Sequence, residues 1–248
     1  MESLFPIMHS RPKTGSLFAV GVLWGWVFVL FPMWMPFVGL GIWEKEQYIS
    51  WFQIGYHIVN GVLVFVPLGK YLKDEWFMVT TDFRYYIGTA AAAFGSMAAV
   101  VVVLFRVISA VGIPIENMLN GLPVTEMIIA LTPGYLAKVN PIAGTLTMAV
   151  FSSLSISGYM YALGFAPVCC KRSWLAYVVV ALVTLIPSLI DIIWRGQAGL
   201  TMTIYLVRLP IHLLACWSYQ KTDNFFTPVF ALGMFNLVAG AAMFFVLV

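Results

Sequence analysis

Charged side chains are scarce in this sequence: Asp, Glu, Lys and Arg make up 9% of its 248 residues, where soluble globular domains carry about 25%. Long polar blocks are absent too, so no stretch could fold as a separate water-soluble domain. Histidine and cysteine are rare, with three of each. His9 lies in a polar tail, Cys169 and Cys170 are adjacent and Cys216 stands alone, leaving neither a CxxC pair nor an HExxH pattern. A zinc site needs three or four converging ligands. The expectation is therefore free thiols, no metal and no cofactor. The net charge of +3 is small and scattered, which argues against a nucleic-acid partner and against a polybasic lipid-binding tail.

What fills the chain is apolar: 62% of its residues are hydrophobic. That composition predicts an all-α polytopic transmembrane helix bundle. Crossing roughly 30 Å of hydrocarbon takes about 20 apolar residues. On that basis helices are expected at about 16–40, 49–69, 86–112, 141–165, 173–194, 200–219 and 225–247. The apolar patch 122–139 is interrupted by Thr132, Pro133 and Gly134 and reads as a re-entrant or interfacial helix, or as a broken eighth span. The expected organisation is a cytoplasmic tail, 1–15, and a single transmembrane domain, 16–248. The first apolar run is too long for a signal-peptide core and is expected to stay. With the N-terminus inside, the inner segments hold Arg11, Lys13, Lys70, Lys73, Arg84, Lys171, Arg172 and Lys221, and the outer ones only Lys45, Lys138 and Arg195. The excess on the inner side predicts a cytoplasmic N-terminus.

Polar groups inside apolar spans are the candidate chemistry, because burying them is costly. His57 and Asn60 stand three apart on one helix face, and Arg208 and His212 four apart around Pro210, which should kink its helix. For both histidines interhelical hydrogen bonding is the ordinary expectation. Asp191 and Arg195 have the spacing of a boundary ion pair, and Arg106 that of a side chain that snorkels or meets Glu116 or Glu126. Four serines fall within six residues in SSLSISGYMYAL, from Ser152. No GxSxG or SxxK surrounds them, so helix packing is the first physical reading.

The longer stretch FSSLSISGYMYALGFAPVCCKRSWLAYVVVALVTLIPSLIDIIW resembles the core of the CPBP family, the CAAX-prenyl protease and bacteriocin-processing (Abi-like) intramembrane proteases. Their first signature is a glutamate pair, three residues, then Arg-Gly-Tyr. Here Ser152 and Ser153 stand at the glutamates and Ser157 at the arginine, while Gly158 and Tyr159 fit. The basic loop CCKRSW follows, and Thr184 and Ser188, or Pro187 and Asp191, stand at the family's Phe and His. The closing segment of the family, a tyrosine, a Thr-Gly-Ser turn and Pro-Ile-x-x-His-x-x-x-Asn, is matched by Tyr219, Thr222, Pro228 and Asn236, with Leu232 at the histidine. The resemblance covers about 141–240, and FRYYIGTAAAAFGS near 83–96 is also similar.

The resemblance implies a CPBP-like fold without the family's catalysis, since a serine hydroxyl cannot take the place of a carboxylate base near neutral pH. It implies a cavity lined by Ser152, Ser153, Ser157 and Asn236, with Arg208, His212 and His57 as further binding candidates. The expected role is an accessory or scaffold subunit in a bacterial plasma membrane, binding lipid, a hydrophobic peptide or another integral membrane protein. Two alternatives stand beside it. One is a divergent intramembrane peptidase for prenylated or leader peptides, using Asp191, His212 or Glu126. The other is a small-solute transporter using Arg208 and His57, although no inverted repeat is visible.

Overall fold

The computed structural model describes residues 46–110, 141–165, 172–195 and 198–247, and these are helical with no strand among them. With the run 141–165 counted as one helix, the described residues form seven: α1 (Glu46–Leu63), α2 (Phe65–Thr81), α3 (Phe83–Ala110), α4 (141–165), α5 (Ser173–Arg195), α6 (Ala198–Thr222) and α7 (Phe226–Leu247). The expected helices 16–40 and 122–139 and the tail 1–15 lie outside the described residues. Elsewhere the expected boundaries agree with the observed helices to within a few residues, with one exception.

That exception is α2. The sequence suggests one span at 49–69 followed by a loop, and the structure has two helices, α1 and α2, joined through Val64. Pro67 has no N–H to give the Leu63 carbonyl, which is where α1 stops. Beyond it, Leu68, Tyr71, Leu72, Glu75 and Val79 are buried at helical spacing, while Lys73, Asp74, Trp76 and Phe77 face outwards. Lys70, Lys73, Asp74 and Glu75 lower the mean hydropathy of the segment, yet its helical periodicity is intact. α2 ends at Asp82, whose N–H returns to the Met78 carbonyl at 3.1 Å.

α4 is the centre of the arrangement. It is flanked by α1 and α7, and its C-terminal part also meets α5. α3 lies across α6 and α7, and α5 packs on α6. Among the described residues, close approaches at Gly61, Gly158, Gly233 and Gly240 set α4 against its flanks. A Cβ on Gly158 would stand 2.6 Å from a Val64 side-chain atom, and one on Gly233 of α7 would stand 3.0 Å from the Ala149 carbonyl oxygen. Small residues at such crossings let backbones approach closely. The largest buried side chains, Tyr161, Tyr219, Phe165, Phe225, Leu68 and Met97, belong to one core shared by α2, α3, α4, α6 and α7.

Beside the apolar core, buried hydroxyls and exposed apolar side chains occur together. Ser152, Ser153, Ser155, Ser157, Thr147, Ser218, Thr227 and Asn236 are buried, whereas Val102, Val103 and Val107 of α3, Ile142 and Leu146 of α4, and Val178 and Leu182 of α5 are exposed. Phe83–Leu104 and Ile142–Ala162 are long and apolar enough to cross a membrane. The seven or eight spans expected are not reached among the described residues. The apolar runs Ser173–Leu182 and Phe226–Ala241 are shorter than the about 20 residues a crossing takes, and α6 carries Arg208, His212 and Gln220 along its length.

Candidate functional site

The serine segment is built on an irregular helix. α4 runs from an α-helical turn (Pro141–Thr147) into a π-helical one (Met148–Ser152), back to α-helix (Ser153–Ile156) and again into π (Ser157–Phe165). A π segment widens the turn and displaces the regular backbone ladder, a distortion found often at functional positions. Here the Met148 carbonyl collects side-chain donors. Ser153 Oγ donates to it at 3.3 Å, and Asn236 Nδ2 from α7 donates to it at 3.0 Å and to Ser153 Oγ at 3.2 Å. Asn236 thus ties the midpoint of α7 to the midpoint of α4.

The other candidates divide clearly. Ser155 Oγ donates to the Phe151 carbonyl at 2.9 Å and Thr184 Oγ to the Val180 carbonyl at 2.8 Å, both within their own helices. Ser152 is buried beside Ser153, and Leu232 is buried one turn before Asn236. Ser157 is wholly buried, and its hydroxyl has no hydrogen-bond partner among the described residues. His212 and Tyr161 join α6 to α4 through a 2.8 Å bond between Nδ1 and the hydroxyl, the interhelical role expected of that histidine. Arg208 is exposed one turn before it, and His57 is half-buried on α1 near the buried Asn60. Glu116, Glu126, Cys169 and Cys170 lie outside the described residues, as do the side chains of Tyr159, Pro187, Ser188, Asp191 and Arg195. Arg106 is exposed.

Chemically, the Ser153 hydroxyl is engaged by a carbonyl and an amide. Neither is a base able to take its proton near neutral pH. The arrangement can hold helices together and can offer hydroxyls and an amide to a polar group placed between them.

A second polar cluster is not anticipated by any motif. Glu75 of α2 is 4% exposed, and its Oε2 accepts the Phe225 N–H at 3.0 Å. Its backbone carbonyl accepts Asn224 Nδ2, also at 3.0 Å. Tyr71, one turn earlier, pairs its hydroxyl with that of Tyr219 on α6 at 3.1 Å and also reaches the Glu75 carboxyl. The turn so held runs through Asp223, whose φ of 48° is left-handed, and Asn224, whose Oδ1 caps α7 at the Phe226 N–H at 2.9 Å. Glu75 lies beyond the apolar spans, and burial pushes its carboxyl up to about 7. The Phe225 N–H and the Tyr71 hydroxyl pull the other way, while Asp223 and Asp74 add to the rise. Asp223 is itself pushed up to about 6 by burial. The available signal was an acid at i+4 from Tyr71 on the apolar face of an amphipathic repeat.

Comparison of the chain with models of known protein families, with characterised proteins and with solved structures finds no match. Its chemistry is therefore read from its own residues.

Proposed function

We propose that this chain is an integral membrane protein of seven or eight spans with a CPBP-like core, and that it acts by binding rather than by cutting. The observation that carries this reading is the Ser153–Asn236 contact at 3.2 Å. In the resemblance these two positions belong to one catalytic centre, a glutamate and an asparagine, and here they adjoin with a hydroxyl in place of the acid. The nearest replacement for the family's histidine on α7 is Leu232, which is buried and apolar. Two features of the fold support the same reading. Asp223 adopts a left-handed backbone where the family's Thr-Gly-Ser turn has glycine, the residue suited to that conformation. Exposed valines and leucines over buried serines suit a surface facing lipid.

The role is that of an accessory or scaffold subunit in a bacterial plasma membrane, with the N-terminus cytoplasmic, that stabilises another integral membrane protein or holds a hydrophobic peptide or lipid tail. The test is gentle detergent extraction at native expression followed by mass spectrometry of co-eluting proteins. A stoichiometric membrane partner is expected, and a lone monomer overturns the role. Cleavage of a prenylated or leader peptide that is lost on Asp191→Asn or His212→Ala would replace it with the peptidase reading. Substrate-dependent flux in proteoliposomes of the protein alone would replace it with transport.

A further inference from the structure

Glu75 sits where three pieces of the chain meet. Its side chain holds the Phe225 amide, its carbonyl holds Asn224, and Tyr71 beside it holds Tyr219 of α6. α2 reaches this place from the juncture at Val64–Pro67, where Val64 keeps a helical backbone but Pro67 brings no N–H to the Leu63 carbonyl, and besides this cluster it is held by Leu68 and Leu72 in the core and by Trp76, whose ring packs edge-on against Phe226 at 5.1 Å and Phe230 at 6.4 Å. The outer edge of α2 is uncovered: Trp76 is 47% and Phe77 70% exposed. α2 is thus a short helix seated on the core through Leu68 and Leu72, with the buried carboxyl of Glu75 clasping the turn towards its other end. α1 and α7, the two helices α2 connects, are the ones that flank the serine segment of α4.

We propose that α2 is a proton-operated latch, jointed at Val64–Pro67, whose Glu75 clasps the Asp223–Phe225 turn when neutral and releases it when ionised. The neutral carboxyl can donate to the Tyr71 oxygen while still accepting the Phe225 N–H, so every polar atom of the clasp is served. The ionised carboxylate is enclosed with acids and phenols: Asp74 and Tyr71 on α2, Asp223 on the turn, Tyr219 on α6 behind Tyr71, and Tyr86 on α3. None of these groups is a cation. Releasing α2 lets the carboxylate reach water and relieves the repulsion. The upward displacement of both Glu75 and Asp223 has the sign this requires. The latch is independent of the accessory role proposed above, because it concerns only the coupling of α2 to the α6–α7 turn.

Hydrogen exchange of the full chain in lipid nanodiscs, read by mass spectrometry as protection factors between about pH 5 and about pH 9, tests it. Protection over 68–79 and 222–226 is expected to fall about tenfold per pH unit as pH rises from acid towards an upper limit near neutrality, the slope of a single proton, and to level off above that limit. Glu75→Gln is expected to abolish the fall and leave the segment protected throughout. Asp223→Asn, which keeps a residue suited to the left-handed backbone, removes a neighbouring negative charge and should move that upper limit down. Tyr71→Phe removes a hydrogen bond that favours the carboxylate and should move it up. Protection that does not vary with pH in the wild-type chain, or a fall that survives in Glu75→Gln, overturns the latch. Should Glu75→Gln not accumulate, the opposed shifts of the other two variants decide: shifts in the same direction, or none, overturn it.

Discussion

The two polar clusters of this molecule face opposite demands. At the midpoints of α4 and α7, Ser153, Asn236 and the Met148 carbonyl form a neutral set whose bonds close on themselves. At the end of α2, Glu75 is ionisable, buried, and bonded to the backbone of a turn 150 residues away. A neutral hydroxyl–amide–carbonyl set needs no counter-charge and responds little to pH. A buried carboxylate needs either a cation or a proton. The first cluster therefore suits permanent helix packing and the second suits a conditional contact.

Exchanging the character of the clusters is the strongest way to break this contrast. Ser152→Glu with Ser153→Glu places two acids in the neutral set. It should cost on the order of several kcal/mol, seen as reduced accumulation and a lowered Tm in nanodiscs. No peptide cleavage is expected from it, because Ser157 and Leu232 still stand at the positions of the family's arginine and histidine. Cleavage by that double variant would show the α4–α7 site to be a protease short of only its acids.

The next effect is a pH dependence confined to the second cluster. Glu75 titrates near 4.5 when unfolded and at about 7 when folded, so the folded chain binds the proton more tightly. The stability this contributes is fully present below the unfolded value, declines as pH rises between the two, and is gone above the folded one. The difference amounts to about 3 kcal/mol across that window, and denaturant midpoints measured from acid to neutral pH should show it. A stability that climbs with pH over the same window would contradict the buried neutral carboxyl.

Asn236→Ala should act on the first cluster alone, at a cost of about 1 to 2 kcal/mol that is the same on either side of neutrality. A pH-dependent cost would mean that a titrating group lies against Asn236. The smallest expected effect has the opposite sign. Ser157→Ala removes a buried hydroxyl without a partner among the described residues and should stabilise the chain by about 0.5 to 1 kcal/mol. A clear destabilisation would reveal a bond to that hydroxyl and bring Ser157 into the polar set.

Much of the helical framework was legible from the sequence, because a run of apolar residues such as that at 86–112 leaves few other ways to satisfy its backbone. The candidate site was legible in part. The resemblance put Ser153 and Asn236 among the expected lining residues, and the 3.2 Å contact between them is a finding of the structure. His212 was read as an interhelical hydrogen bonder, and it is one, although its partner Tyr161 was not foreseen. α2 was missed because averaging hydropathy over a window discards phase: Lys73 and Asp74 face out while Glu75 faces in, and the mean blurs the two.

By itself the sequence determined that the described chain is helical and apolar, and that four serines fall within six residues from Ser152. Only the tertiary structure decided which of those hydroxyls are engaged and that Glu75 is buried against Phe225. The reason is physical. Helix formation and apolar character depend on neighbours within a turn or two, whereas the burial of a carboxyl depends on a turn 150 positions further along being folded back over it.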